Sequence, residues 1–593
     1  ALALLWQPCL ALLAPYTQWW CAHLREKFMK SLFTPVLGLL ACAPALAASA
    51  HAVSASTTAT VTTATVEEAQ ENLPAVIVSA QPEGSALVIQ TDPKQARQPI
   101  PAMDGADILR TISGFGVVRK GGADGDPVLR GMAGSRLGIL LDGGVLLGSC
   151  PHRMDPPTAY VFPDAYDRLT VIKGPQSVQY GGGHAAGVVL FERQPAPADA
   201  PDGISGNASL TAGSHGRVDA LLDLRYQTAP WQLRASASHT RADDYADAHG
   251  QKVHSAYQRH SEMASVAYRP DAQTLAEWSW VHSDGEAAYA DRGMDGAQFA
   301  RHSTGLKLEK KALLPWLPAL ALQLEQQDID HVMDNYSLRS GAMPAMRMAS
   351  NPAQRSHSGK LSATLQMADN WLLDVGLDGQ QHRHSSRMGM GATAPAMMLA
   401  APYQDDARIA QYGIYAESRW YAGEQKRWIS GLRADRWQAQ DKRSPMAAVS
   451  AGQTRKEWLG SAFMRLEQDF APADGEGAKG QWYIGPGYTE RAPDYWELLG
   501  TGKQSASSNS AFGTRSEKTW QLDAGMQAQY GWGSLHLAAF ANRVRDYILI
   551  DGDRTDVRFG KVPSGMMGGS LPQVVRNVQS RSLGLEAGVD YRF

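Results

Sequence analysis

The sequence predicts an all-β transmembrane barrel of about 22 antiparallel strands with an N-terminal α/β plug domain inside its lumen. Three observations predict it. Apolar and polar residues alternate at period two in recurrent segments from about residue 203 to the end. A short apolar segment with a basic flank and a small-x-small site marks the N-terminus for export. No run after residue 50 reaches the roughly 18 apolar residues that a spanning helix needs, so any crossing falls to strands.

The alternation is clearest in three places. Trp231, Leu233, Ala235 and Ala237 interleave with Gln232, Arg234, Ser236 and Ser238. Trp520, Leu522, Ala524, Met526, Ala528 and Tyr530 interleave with Gln521, Asp523, Gly525, Gln527 and Gln529. Leu583, Leu585, Ala587, Val589, Tyr591 and Phe593 interleave with Gly584, Glu586, Gly588, Asp590 and Arg592. In a strand each such set faces one side. A soluble β-sandwich would also own an apolar face. Strands of roughly 9–13 residues and an aromatic final residue favour lipid on the apolar side and water on the other. Residues 203–593 number 391, and at roughly 18 residues per strand and connection they make about 22 strands. So wide a barrel leaks unless filled. The Gly-rich stretch 100–195, whose apolar segments are short (Val128–Arg130, Leu137–Leu141, Leu169–Ile172, Gly187–Phe191), is the filler.

The remaining elements follow in order. Residues 1–48 read as an upstream extension and a signal peptide: Arg25, Lys27 and Lys30 precede the apolar Leu32–Leu40, Ala45-Leu46-Ala47 is the cleavage site, and Met29 is the natural start. One anchoring helix is the alternative, which Pro35 and Pro44 disfavour. Of the 4 cysteines, cleavage removes Cys9, Cys21 and Cys42 and leaves Cys150. Residues 49–73, rich in Ala, Ser, Thr and Val without period, read as a disordered leader. Leu73–Ala80 is a β-prone run suited to adding an edge to a partner's sheet, and equally an ordinary first strand. The plug domain spans 81–200 and the barrel 201–593. With 56 Lys+Arg against 59 Asp+Glu, the chain does not suit nucleic acid. Its cysteine count excludes a disulfide scaffold. No catalytic constellation or phosphate loop with usable spacing stands out, and no enzymatic activity is expected.

Pro127-Val128-Leu129-Arg130-Gly131-Met132, with Arg136-Leu137-Gly138-Ile139-Leu140-Leu141-Asp142-Gly143, resembles a plug segment of the TonB-dependent outer-membrane receptor family. Arg168-Leu169-Thr170-Val171-Ile172-Lys173-Gly174-Pro175-Gln176-Ser177-Val178-Gln179-Tyr180-Gly181 resembles a second. The resemblance implies the Gram-negative outer membrane, a 22-stranded plugged barrel, and uptake powered by TonB with ExbB and ExbD. It makes 74–80 the TonB box, with Ala75, Val76, Ile77, Val78 and Ser79 as its residues. Outer-membrane lipid and lipopolysaccharide would surround a monomer. Tyr488–Glu497 also resembles a barrel segment of these receptors. Its Glu490 and Arg491 are expected to pair with each other or with plug charges, and Asp142, Arg130 and Lys173 to form plug–barrel ion pairs.

Cys150-Pro151-His152-Arg153-Met154 lies between the two plug segments. One helical turn or a tight loop brings Cys150 and Met154 to one face. Thiolate with thioether is a soft pair that selects Cu(I) over Mg, Ca or Mn. His331 and Met333, two apart, share a face if they lie in a strand. Each pair has a plain reading too, as a buried inert thiol and as an ordinary strand end. Their joint occurrence resembles the copper-receptor branch of the family, the NosA/OprC type. Carried over, Cys150, Met154, His331 and Met333 would hold copper as cargo, with His152 in no firm role. Nine of the 20 methionines fall between Met333 and Met398. Met343, Met346, Met348, Met388 and Met390 are further candidate ligands there, or simply fill gaps between loops. The expected function is TonB-dependent copper import. Import of a chelate, siderophore or other transition metal is the alternative within the family, and a passive porin or an outer-membrane enzyme the rival outside it.

Overall fold

The computed structural model describes residues 87–95, 97–98, 100–150, 153–471, 477–499, 510–551 and 574–591. The expected signal peptide, leader and TonB box, and His152, lie outside the described residues.

The plug contains β1 (Val88–Thr91), α1 (Gly105–Leu109), β2 (Phe115–Arg119), β3 (Gly125–Leu129), β4 (Met132–Ala133), β5 (Leu137–Leu141), β6 (Gly144–Val145), β7 (Arg168–Lys173) and β8 (Gly187–Glu192). Five strands form one sheet in the order β1-β7-β8-β5-β6, and β2, β3 and β4 form a smaller one. β5 and β8 run parallel. Both read as continuous apolar runs because they are covered on both faces, and β5 is buried along its whole length. Helix is scarce. α1 begins at Asp104, whose side chain accepts from the Asp107 N–H at 2.8 Å.

The second part is one antiparallel sheet. Its strands are β9 (Gly203–Ala212), β10 (Val218–Thr228), β11 (Trp231–Ala242), β12 (Tyr257–Tyr268), β13 (Thr274–Ala287), β14 (Asp295–Leu314), β15 (Leu317–Asp334) and β16 (Met348–Ala368). After them come β17 (Trp371–Met390), β18 (Gln404–Tyr421), β19 (Lys426–Asp441), β20 (Thr454–Phe470), β21 (Lys479–Arg491), β22 (Glu517–Tyr530), β23 (Gly533–Asp551) and β24 (Val574–Tyr591). Each pairs with its chain neighbours, as up-and-down hairpins require. Two short helices, α2 (Ala394–Ala400) and α3 (Tyr495–Leu499), sit in connections.

The strand number departs from expectation. The described sheet has 16 strands, not about 22, with β9 and β24 at its two ends. Individual strands run from 10 to 21 residues, so the same length of chain divides into fewer of them.

The polarity of the sheet is as expected of a transmembrane wall. Leu583 (83%), Leu585 (77%) and Trp231 (48%) are exposed, whereas Gln232, Arg234, Gln521, Asp523 and Glu586 on the alternate positions are buried. A soluble sandwich would bury the first set. The polar face is buried because the plug lies against it. Ser209 of β9 meets Asp164, Gln323 of β15 donates to the Asp142 carbonyl, and Gln179 meets Asp374 of β17 and Glu417 of β18. Arg465 of β20 donates to the Gln176 carbonyl. The sheet therefore wraps the plug from its first strand to its last. Among the described residues no helix is long and apolar enough to cross a membrane.

Arg130 joins Asp523 and Glu586 at 2.7 Å each, and Lys173 joins Glu586 at 2.6 Å. These are the plug–barrel pairs the sequence suggested. Asp142 is not one of them. Its carboxylate binds Arg193 of the plug at 2.6 Å. Glu490 and Arg491 do not pair with each other, because adjacent strand residues point to opposite faces. Arg491 instead binds Glu517 and Glu497 at 2.8 Å and reaches the plug through Ser135 at 2.6 Å.

Candidate metal centre

The loop after β6 carries Cys150 and Met154. Residues 151 and 152 lie outside the described residues, and neither Cys150 nor Met154 is in a helix. The Arg153 N–H donates to the Cys150 carbonyl at 3.1 Å and closes a turn. Arg153 itself has φ of 52°, a left-handed conformation that a non-glycine residue adopts only when its surroundings hold it. Two hydrogen bonds to Asp126, at 3.0 and 2.7 Å, and the Trp496 ring beneath the guanidinium do so.

Asp155 is the pin of the loop. Its carboxylate, fully buried, accepts from the Ser149 N–H (2.7 Å), the Cys150 N–H (3.0 Å), the Ser149 hydroxyl (3.1 Å) and the Tyr160 hydroxyl (3.0 Å). Four donors offset much of the desolvation that a buried carboxylate otherwise suffers. Tyr289, from the loop after β13, donates to the Met154 carbonyl at 2.7 Å and also meets Asp124 at 2.5 Å. Burial pushes the Asp124 carboxyl up to about 7, against the opposing pull of the Tyr289 hydrogen bond and the Arg259 charge. The indole N–H of Trp496, in α3, donates to the Cys150 carbonyl. A narrow cleft lined by Leu146, Leu147, Arg153, His184 and Trp496 runs beside this loop.

β15 supplies the other side. Gln327, Ile329, His331 and Met333 alternate inward and are all buried, so His331 and Met333 share a face as their spacing predicted. The Cys150 Sγ lies 3.4 Å from the Met333 Sδ. Met154 belongs to the same continuous core as Cys150 and Met333. The His331 ring rests on Phe299 at 4.5 Å between centroids. Its Nδ1 is 2.9 Å from the Gln298 carbonyl. A carbonyl only accepts, so Nδ1 carries the proton and Nε2 keeps its lone pair. That Nε2 is buried and has no hydrogen-bond partner among the described residues.

Two sulfurs from different parts of the fold thus meet in a buried site, and His331, two residues from Met333 on the same face, offers an imidazole nitrogen with an unused lone pair. Among the described residues no group of three or more His, Cys, Asp or Glu could hold a metal ion. The five further methionines, Met343, Met346, Met348, Met388 and Met390, are all exposed. Met348 and Met390 face each other across β16 and β17.

Sequence reasoning missed Asp155 and Trp496. Asp155 directly follows Met154, and nothing in its spacing reveals that it folds back onto residues 149 and 150. Trp496 fell in a segment read as structural, 346 residues from Cys150.

A family model described as TonB-dependent receptor-like β-barrel matches residues 231–593. A second, described as the TonB-dependent receptor plug domain, matches residues 86–188. No curated protein matches the chain. Among solved structures, the copper transporter OprC is 39% identical, with 88% of this chain and 78% of that one covered and a TM-score of 0.80. The Serratia marcescens hemophore receptor HasR is 16% identical over 86% of this chain and 79% of that one, with a TM-score of 0.65. The FrpB iron transporter of Neisseria meningitidis is 15% identical over 86% and 78%, with a TM-score of 0.64. The last two share the fold alone.

Proposed function

The chain belongs to the TonB-dependent receptor family of the Gram-negative outer membrane, and on that premise we propose that its cargo is copper, imported as Cu(I). The supporting observation is the approach of Cys150 to Met333 at 3.4 Å. Metal–thiolate bonds near 2.3 Å put two sulfurs of one tetrahedral site roughly 3.8 Å apart. The pair needs to open by only a few tenths of an ångström to admit an ion. Cys150, Met154, His331 and Met333 are the proposed ligands, two from the plug and two from the wall. Soft sulfur favours Cu(I), and His331 Nε2 completes a four-ligand set. The similarity to a copper transporter at 39% identity supports the same cargo.

A site this enclosed would hold its ion rather than pass it on. Family membership supplies the remedy, since these receptors draw on TonB. A pull on residues 75–79 would shift the plug, separate Cys150 and Met154 from His331 and Met333, and so weaken the site from four ligands to two. The exposed methionines of the loop after β15 (Met343, Met346) and of the adjoining ends of β16 (Met348) and β17 (Met388, Met390) would gather copper by ligand exchange and feed it inward. A bulky organic chelate, the competing cargo, would want a roomier chamber than this buried contact.

The test is copper uptake by cells carrying the intact chain or the chain lacking 74–80. The deletion should abolish uptake. Undiminished uptake means passive diffusion, and no copper uptake by either, with chelate uptake intact, assigns the chain to a chelate.

A further inference from the structure

A second patch of the lumen wall holds nitrogen in place of sulfur. His382 and His384 lie two apart on β17 and both are buried, at 4% and 2% exposure, while Arg383 between them is exposed. They therefore face the plug side together. The register places them. His384 lies level with Gln354 and Ile329, and His382 with Ser356 and Gln327. On β15, Ile329 is the residue two below His331. The histidine pair thus sits one to two pleats below His331 and two strands along the wall, roughly 12–17 Å away along the sheet.

The patch is conspicuously unsatisfied. His382 Nε2, His384 Nδ1, Gln354 Oε1 and Gln327 Nε2 are all buried without a hydrogen-bond partner among the described residues. A buried polar atom left without a partner disfavours the fold. Four in one neighbourhood point to a partner from outside the chain. Two of them are imidazole nitrogens at the spacing with which a strand offers two ligands to one ion. His382 is already braced for it. Its Nδ1 is 2.9 Å from the Ser356 hydroxyl, which can accept, so Nδ1 can carry the proton and leave a lone pair on Nε2. Gln354 Nε2 also approaches Nδ1, at 3.3 Å. Turning that amide presents its orphaned Oε1 to the same proton. The His384 ring lies flat on Tyr495, 3.8 Å between centroids at 6°. That stack covers one ring face and leaves the nitrogens at its edge. Tyr495 adjoins Trp496, which holds the Cys150 carbonyl.

We propose that His382 and His384 form a second metal position in the lumen, based on nitrogen and suited to a borderline divalent cation such as Cu(II). Neutral imidazole takes Cu(II), Zn(II) and Ni(II) readily, and no thiolate or thioether is needed. The position depends on the copper reading only for the identity of its occupant, because its ligands are distinct from the sulfur set.

The test is titration of the full chain, purified in detergent, with copper sulfate and electron paramagnetic resonance as the readout. Wild type should show a Cu(II) signal split by nitrogen. Cys150→Ala should keep it, so failure of the sulfur site and failure of this one are separately visible. His382→Asn with His384→Asn should lose it. Asparagine places an amide group near Nδ1, preserving the contact with Ser356 while removing Nε2. His384→Phe, which keeps the stack on Tyr495, guards against loss through misfolding and should also lose the signal. A nitrogen-split signal that survives in these variants, or none in wild type, overturns the proposal.

Discussion

Replacing Cys150 with alanine separates copper binding from folding, because the two effects differ in size. The side chain is fully buried. Removing its sulfur deletes one heavy atom from a packed core, which destabilises by about 1 kcal/mol, as for one buried methylene. The Cys150 N–H and carbonyl, which hold the loop to Asp155, Arg153 and Trp496, are untouched. The folded protein should therefore accumulate nearly as wild type. Four-ligand structural sites bind their metal with about 10–16 kcal/mol, so each ligand accounts for roughly 3 kcal/mol, more than a hundredfold in affinity. Chains purified from copper-supplemented cells should hold about one copper fewer per chain in Cys150→Ala than in wild type, measured by elemental mass spectrometry, whatever the histidine position retains. Cys150→Ser, isosteric but hard, should fail like alanine. Full copper in a folded Cys150→Ala chain would refute the assignment of the thiol.

Further outcomes are expected elsewhere. His331→Ala with Met333→Ala should weaken copper binding while the wall remains folded; unchanged affinity moves the wall-side ligands to other residues. Trp496→Phe keeps the ring over Arg153 but removes the donor to the Cys150 carbonyl, and should weaken copper binding by about 1 kcal/mol, near fivefold, measured by competition with a chromogenic chelator. Glu586→Gln strips Lys173 of its carboxylate and Arg130 of one of two. It should loosen the plug by about 3 kcal/mol, seen as faster proteolysis of residues 100–195 with the wall intact. Asp124, whose carboxyl rises to about 7 when folded, binds its proton more tightly folded than unfolded. Its contribution to stability is thus full below about pH 4 and is lost as pH climbs through about 7. Asp124→Asn should flatten the fall in thermal stability between pH 5 and pH 8, and an unchanged fall rejects this source.

Polarity was legible in the sequence because a strand in a bilayer has two solvents, and its pattern records both. The positions of Leu583, Leu585, Glu586 and Asp523 follow directly from alternation. Strand number was not legible, because it depends on where each strand stops beyond the lipid, and both lipid-exposed and water-exposed pairing keep the same period. His331 and Met333 could be put on one face by spacing alone. That the face meets Cys150 could not, since the contact joins residues 183 apart through the docking of one part on the other. Asp142 shows the same limit from the other side. An acidic residue in a plug motif can find its cation in the plug or in the wall, and only packing chose Arg193.

The ion pairs between Arg130, Lys173 and Glu586 also bear on how the wall is assembled. Shift β24 by one residue against its neighbour, and Glu586 turns to the hydrocarbon while Leu585 confronts two stranded cations. The stopper thus acts as a template that penalises a one-residue slip of the last strand. A wall built without it would lose its guide to correct alignment along with its seal.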